Sequence, residues 1–190
     1  MKKENIITLP NSTLRKKSDK VGFVTPEIKK LVDDMVSVAI DWEDSRPHEI
    51  SAALAAVQIN CPEKVIIVRD EFEDKSIRDF TALINPKIVK FEGKIELDYE
   101  GCLSVPGIYG LVPRYEKVRV KAMDVNGNEI KFKATGFLAR IIQHETDHTN
   151  GIVFIDHIRD KKDAFFELDE KGDLQPLDYE ENIKNNNILW

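Results

Sequence analysis

The pentapeptide His144-Glu145-Thr146-Asp147-His148 constrains this chain more than any other stretch. At about 3.6 residues per turn, positions i and i+4 share one helix face, so both imidazoles can reach a single divalent ion. Glu145 lies about 100° further round, placed to hold a water on that ion without ligating it. The flanks read as a helix that has to be buried. Thr135-Gly136 opens it, Phe137, Leu138, Ile141 and Ile142 supply an apolar stripe, and Asn150-Gly151 closes it. The two rings continue the stripe of Phe137 and Ile141 and therefore point toward the core. Imidazole nitrogens buried without partners carry a desolvation cost, so a shared metal ion accounts for the pair better than accidental placement on a surface helix.

Two imidazoles do not complete such a centre, because a catalytic zinc-type site uses three protein ligands and one open position. Extension of the motif to His-Glu-x-x-His-x-x-Gly-x-x-His, as in metzincin proteases, is met at Gly151 but ends on Phe154, which cannot ligate. A downstream carboxylate, as in thermolysin-like proteases, would be Glu167, in a strongly charged segment that reads as solvated. The third candidate is Cys102, within Glu100-Gly101-Cys102-Leu103-Ser104.

That segment, followed some forty residues later by Gln143-His144-Glu145-Thr146-Asp147-His148, resembles the peptide deformylase family. An upstream family signature, Gly-x-Gly-x-Ala-Ala-x-Gln, is matched with substitutions by Ser51-Ala52-Ala53-Leu54-Ala55-Ala56-Val57-Gln58. Further similarity lies in Thr13–Lys17, Leu83–Pro86, Leu111–Arg114 and Gly151–Asp156. The resemblance implies an α+β fold with antiparallel β-sheets packed around a central C-terminal metal-binding helix. It implies a catalytic domain over residues 1–160 and a charged C-terminal extension over 161–190, within the same unit or partly mobile.

The resemblance also implies a reaction: removal of the N-formyl group from the N-terminal methionine of new polypeptides, with release of formate. Cys102, His144 and His148 would hold the metal, and Glu145 would activate the metal-bound water. Gln58 and the Leu103 backbone N–H would stabilise the oxyanion. Ala52, Ala53, Leu54, Gly101 and Arg140 would meet the substrate. Fe2+ is the expected ion, with Zn2+, Ni2+ or Co2+ as substitutes; a thiolate with imidazoles suits several first-row ions, and the residues alone do not choose. Two other readings stand beside it: a zinc metallopeptidase of the HExxH type, and a catalytically impaired relative that binds peptides.

Three departures from the family pattern bear on substrate and partners. Ser51 and Ala53 replace glycines where the substrate backbone would pair, and Ala53 is strained only if its φ is positive. Arg140 stands one turn before His144, where many relatives are apolar. It either makes the side-chain pocket more polar or snorkels outward on a packed stem. From Asp163 to Glu181 the tail is acidic, which repels RNA, so any ribosome association through it is expected to be weak.

The 190-residue chain fits one compact unit. No apolar run approaches the roughly 18 residues that span a bilayer, and no signal-like opening is visible, so a cytoplasmic location without membrane contact is expected. A Cys61–Cys102 disulfide is possible on paper, but a thiolate ligand is the better use of Cys102 and implies a reducing compartment. The net charge of −6 argues against a general DNA- or RNA-binding role.

Helical spacing begins at Pro26 behind Thr25 and runs to position 40, and the polar stretch 41–49, with Pro47, reads as a loop. Residues 64–69 and 82–91 read as strands, with an acidic loop at 71–79 between them. Val118, Val120 and Ala122, then Asn126-Gly127, then Ile130 and Phe132 read as a hairpin. In the tail, Phe165, Phe166, Leu168, Leu174, Leu177, Ile188, Leu189 and Trp190 offer apolar surface that could pack back on the body.

Overall fold

The architecture comes from a computed structural model, which describes residues 1–46, 49–185 and 188; the expectations for Pro47, Leu189 and Trp190 fall outside the described residues. Helix α1 spans Pro26–Asp44. Proline at its first position costs nothing, since that N–H has no intrahelical partner in any case. Leu31, Val32, Met35, Val38 and Ala39 form its buried face. The helix runs a turn past the expected end at position 40. Its last turn is held by Glu43, which pairs with Arg69 at 2.7 Å, both side chains fully buried, and accepts from the Ser51 N–H. A polar composition hid that turn because its anchor is a buried ion pair rather than apolar periodicity.

Among the described residues seven strands form one antiparallel sheet: β1 Ala53–Ala55, β2 Val65–Arg69, β3 Phe80–Cys102, β4 Val105–Met123, β5 Glu129–Thr135, β6 Phe165–Leu168 and β7 Leu174–Pro176. Their order is β1-β2-β3-β4-β6-β7, with β5 also on β4, so β1 is an edge strand. The α+β expectation holds, with a single continuous sheet. Alternation along β2 sends Val65 and Ile67 to a core under α1, and Ile66 and Val68 to a second core under the other helix. Burial on both faces explains why this strand reads as an unbroken apolar run. The expected strand at 82–91 is only the first half of β3. Past the register shift at Glu92/Ile95 the strand continues to Cys102 and delivers that residue to the centre of the molecule.

Helix α2, Gly136–His148, packs Ala139, Ile141 and Ile142 against the second core. Beyond its end, Gly151 has a φ of 76°, and a Cβ there would stand 2.4 Å from the Arg15 carbonyl oxygen, so only glycine fits. Phe137 departs from the expected stripe. It is 49% exposed and meets Phe72 edge-on at 5.1 Å, at the rim of a cleft rather than in the core.

The tail is less separate than its charge suggests. β6 pairs with β4 through Tyr109↔Phe166 and Gly110↔Phe165, and Phe165, Leu177 and Ile183 are buried in a third core with Phe154 and Ile155. Leu168 and Leu174 are only partly buried.

Candidate metal centre

A cleft of about 300 Å³ opens between α2, the edge strand β1 and the end of β3. Two turns of α2 place His144 and Glu145 on its floor, and β3 brings in Gly101, Cys102 and Leu103. The ligand atoms of Cys102, His144 and His148 all lie within 4.8 Å of one another, and Cys102 Sγ is 3.2 Å from His148 Nε2. Both cysteines are free thiols, so no Cys61–Cys102 bridge forms. His148 is fully buried, and its Nδ1 has no hydrogen-bond partner among the described residues. One soft sulfur and two imidazoles converging in a buried site suit a divalent first-row ion.

Glu100 orients this group. One of its oxygens accepts from His144 Nδ1 at 2.9 Å and from Arg114 at 3.0 Å, and the other accepts from Arg114 at 2.9 Å and Arg140 at 2.8 Å. Burial would raise its pKa, but the hydrogen bonds from His144 and Arg114 outweigh burial and hold the carboxyl well below the usual range. Burial would likewise depress His144, yet its contacts with Cys102 and Glu100 push it well up. Burial and the charges of His144 and Arg114 keep the His148 pKa low. With Nδ1 of His144 committed to Glu100, Nε2 is left for the metal. The sequence reading missed Glu100 and Arg114. The signal was there in two charges within otherwise apolar motifs, two residues before Cys102 and at the end of Leu111-Val112-Pro113-Arg114.

Glu145 is 5% exposed, and its Oε2 has no partner among the described residues. Burial raises its pKa to about 7 against the opposing charge of His144. Gln58 follows β1 in a 3-10 turn. Its Oε1 accepts from the Ala55 N–H at 2.9 Å, which fixes the amide so that Nε2 faces Ser104 Oγ at 3.2 Å and Cys102 Sγ at 3.5 Å.

Among the expected substrate residues, Ala52, Ala53, Gly101 and Arg140 line the cleft. Leu54 does not; alternation turns its side chain into the core under α1. Ala53 is unstrained, because Asn60 and Asn85 are the described non-glycine residues with positive φ. At Gly101 a Cβ would stand 2.6 Å from the Tyr109 ring, so any side chain there would displace that ring. Arg140 neither opens its charge to the cleft nor snorkels outward. Its guanidinium is buried against Glu100 and the carbonyls of Val112 and Glu96. Trp42, Glu49, Tyr109 and Leu168, which the sequence reading did not place here, complete the walls. Glu167 is exposed on β6 and takes no part, and Phe154 stacks on the His144 ring at 6.0 Å.

A converging thiol and two imidazoles beside a buried carboxylate, at the floor of a cleft bounded by an edge strand, define a class: a hydrolase built around one divalent ion. Residues 3–164 match the family model described as polypeptide deformylase. The chain is 38% identical over 169 residues to the peptide deformylase of Thermomicrobium roseum, covering 87% of this chain and 92% of that one. Among solved structures it is similar to the Synechococcus elongatus peptide deformylase in complex with actinonin, with a TM-score of 0.71, 34% identity, and 80% and 76% of the two chains covered. A Met-Ala-Ser-bound class I type b peptide deformylase from Acinetobacter baumannii aligns with a TM-score of 0.72 at 29% identity, covering 80% of this chain and 96% of that one. The chain belongs to the peptide deformylase family.

Proposed function

We propose that the chain is a metal-dependent deformylase that hydrolyses the formamide at the N-terminal formyl-methionine of new polypeptides and releases formate. The observation that carries this reading is the convergence of Cys102 with His144 and His148 in a buried group at the cleft floor. Those three residues hold the ion, which is proposed to be Fe2+, with Zn2+, Ni2+ or Co2+ able to replace it. A divalent ion bound there supplies a Lewis acid and lowers the pKa of water toward neutrality.

The remaining steps belong to the protein. Glu145 takes the proton of the attacking water on its unpartnered oxygen and passes it to the departing amine. Gln58 Nε2, fixed by Ala55, and the Leu103 N–H donate to the oxyanion that develops on the formyl oxygen. The substrate backbone lies along the open edge of β1 at Ala52–Leu54 and beside Gly101, a strand-addition mode. A relative crystallised with Met-Ala-Ser supports a peptide in this cleft. The first side chain enters over Ile141 and the stem of Arg140. Residues 1–160 carry this chemistry, and the tail closes the far wall through Leu168. The two free thiols support a cytoplasmic location. Ribosome association through the acidic tail is proposed to be weak.

The test is anaerobic reconstitution with Fe2+ and measurement of formate release from formyl-Met-Ala-Ser. Turnover is expected in the wild type and in Glu167→Gln, and its loss in Glu145→Gln and Cys102→Ser. A Cys102→Ser protein that binds metal and turns over normally would overturn the assignment.

A further inference from the structure

Across α2 from the substrate cleft lies a second concavity, of about 630 Å³. Gln143, Thr146 and Asp147 of α2 line it, whereas Arg140, Ile141, His144 and Glu145 line the cleft. At about 100° per residue these two sets occupy opposing sides of the helix. Four lysines line the groove: Lys17 and Lys20 from the segment before α1, Lys64 leading into β2, and Lys87 of β3. None of the four is ion-paired among the described residues, and the one acid in the lining, Asp147, is engaged by Arg114 and His157.

The groove is therefore positive in a chain whose net charge is −6. Burial first, and then the charges of Lys17, Lys20 and Lys87, push the half-buried Lys64 ammonium down in pKa. The cations extend beyond the groove. Lys87 stands directly opposite Lys121 on β4, and Lys121 directly opposite Lys131 on β5. Lys131 is neutralised by Glu129, but Lys87 and Lys121 are not ion-paired among the described residues; like charges in such a cross-strand pair destabilise a sheet, and a bound polyanion would relieve them. Two aromatic rings share the groove: Phe91 is 50% and Tyr115 38% exposed, with centroids 5.2 Å apart.

We propose that this groove binds single-stranded RNA, with the lysines following the phosphates and Phe91 and Tyr115 stacking on bases. Cationic grooves interleaved with exposed aromatics are the recurring device for single strands. A small phosphate would use the lysines and leave the rings idle, and a bilayer would not follow a concave surface. The choice of RNA over DNA rests on the proposed function, which places the chain beside polypeptides under synthesis. Because α2 separates groove from cleft, a bound strand leaves the cleft open to substrate.

The test is fluorescence anisotropy of the metal-loaded, full-length protein with a labelled oligouridine of about 12 nucleotides, within the site sizes such grooves cover. DNA of matching length and inorganic polyphosphate serve as comparisons. RNA is expected to bind with a log–log salt slope of about −2 to −3, for roughly four phosphate contacts. Lys64→Gln with Lys87→Gln should make that slope shallower by about 1.4. Phe91→Ala with Tyr115→Ala should weaken RNA roughly tenfold or more while leaving polyphosphate unchanged, because stacking alone is lost. Formate release from a short formyl peptide should be unaltered in both double variants, with circular dichroism as an independent check of folding. Four outcomes would overturn the proposal: absent saturable binding, DNA binding as tightly as RNA, insensitivity to loss of the rings, or dependence on the tail instead of the lysines. Binding is read without turnover, so its failure is separable from failure of the deformylase reading.

Discussion

Arg140 shows how a charge in a cleft wall can be a structural part. Its Nη1 donates to Glu100 at 2.8 Å and the Val112 carbonyl at 2.9 Å, and its Nη2 donates to the Glu96 carbonyl at 2.9 Å. A guanidinium so occupied ties β3 to β4 and shares the carboxylate that orients His144. Leucine at this position would take the donor from the Val112 and Glu96 carbonyls and leave Glu100 with Arg114 and His144. Arg140→Leu is expected to lower the unfolding free energy by about 2–4 kcal/mol in urea titrations. Arg140→Lys should recover only part of that, since an ammonium cannot reproduce the planar fork. An unshifted urea midpoint in the leucine variant would show that these bonds carry nothing. Gln58 poses the complementary case, because its amide faces the chemistry. Gln58→Leu should reduce kcat by about 10²–10³-fold with KM little changed, as expected for a donor that matters only once the oxyanion forms. Steady-state kinetics on formyl-Met-Ala-Ser would check this; a rise in KM alone would place Gln58 in ground-state binding instead.

At the scale of elements, legibility followed from whether a segment's anchor leaves a periodic trace. Helix α2 was readable because its apolar spacing, its cap glycine and its paired histidines all have the same helical period. The β4–β5 hairpin was readable from alternation around Asn126-Gly127. The second half of β3 was not, because Ile95, Leu97 and Tyr99 are exposed there and the charged neighbours between them do not mark a buried face. The Leu54 side chain was placed on the wrong face for a related reason: a motif identifies a segment, while only the pleat decides which face each side chain takes. In the tail the apolar residues marked a capacity to pack back on the body, but not that the packing would include strand pairing with β4. Phe165 is 1% exposed in the third core, and its strand pairs with β4 next to Tyr109 of the cleft. Phe165→Ala should cost about 3–5 kcal/mol of stability, the range for emptying a large aromatic site. A melting temperature within a degree of wild type would mean that residues after 164 are dispensable for folding.

At the scale of the whole molecule, the candidate metal centre draws on all three cores: Leu103 beside Cys102 packs on the first, α2 on the second and Cys102 on the third. Cys102 arrives on β3, His144 and His148 on α2, and Phe154 of the third core stacks on His144. Without an ion, His144 keeps Glu100 and Cys102 keeps Gln58, but His148 Nδ1 has no partner among the described residues. An ion that binds the folded chain and not the unfolded one stabilises it by mass action, by about 4 kcal/mol at a thousandfold excess over Kd. For a chain of this size each kcal/mol moves Tm by about 2–4 °C, so metal removal should lower Tm by roughly 8–16 °C. Calorimetry of the chelator-treated protein, before and after Co2+ or Zn2+ is restored, would measure this. Cys102→Ser should lose most of the shift and Glu167→Gln none of it, because only the first residue belongs to the converging group. The stabilisation is expected to weaken below about pH 6, as protons compete for the imidazoles and thiolate that must be unprotonated to ligate. A Tm indifferent to metal in the wild type would mean that the folded chain holds its Cys-His-His group without gaining from the ion.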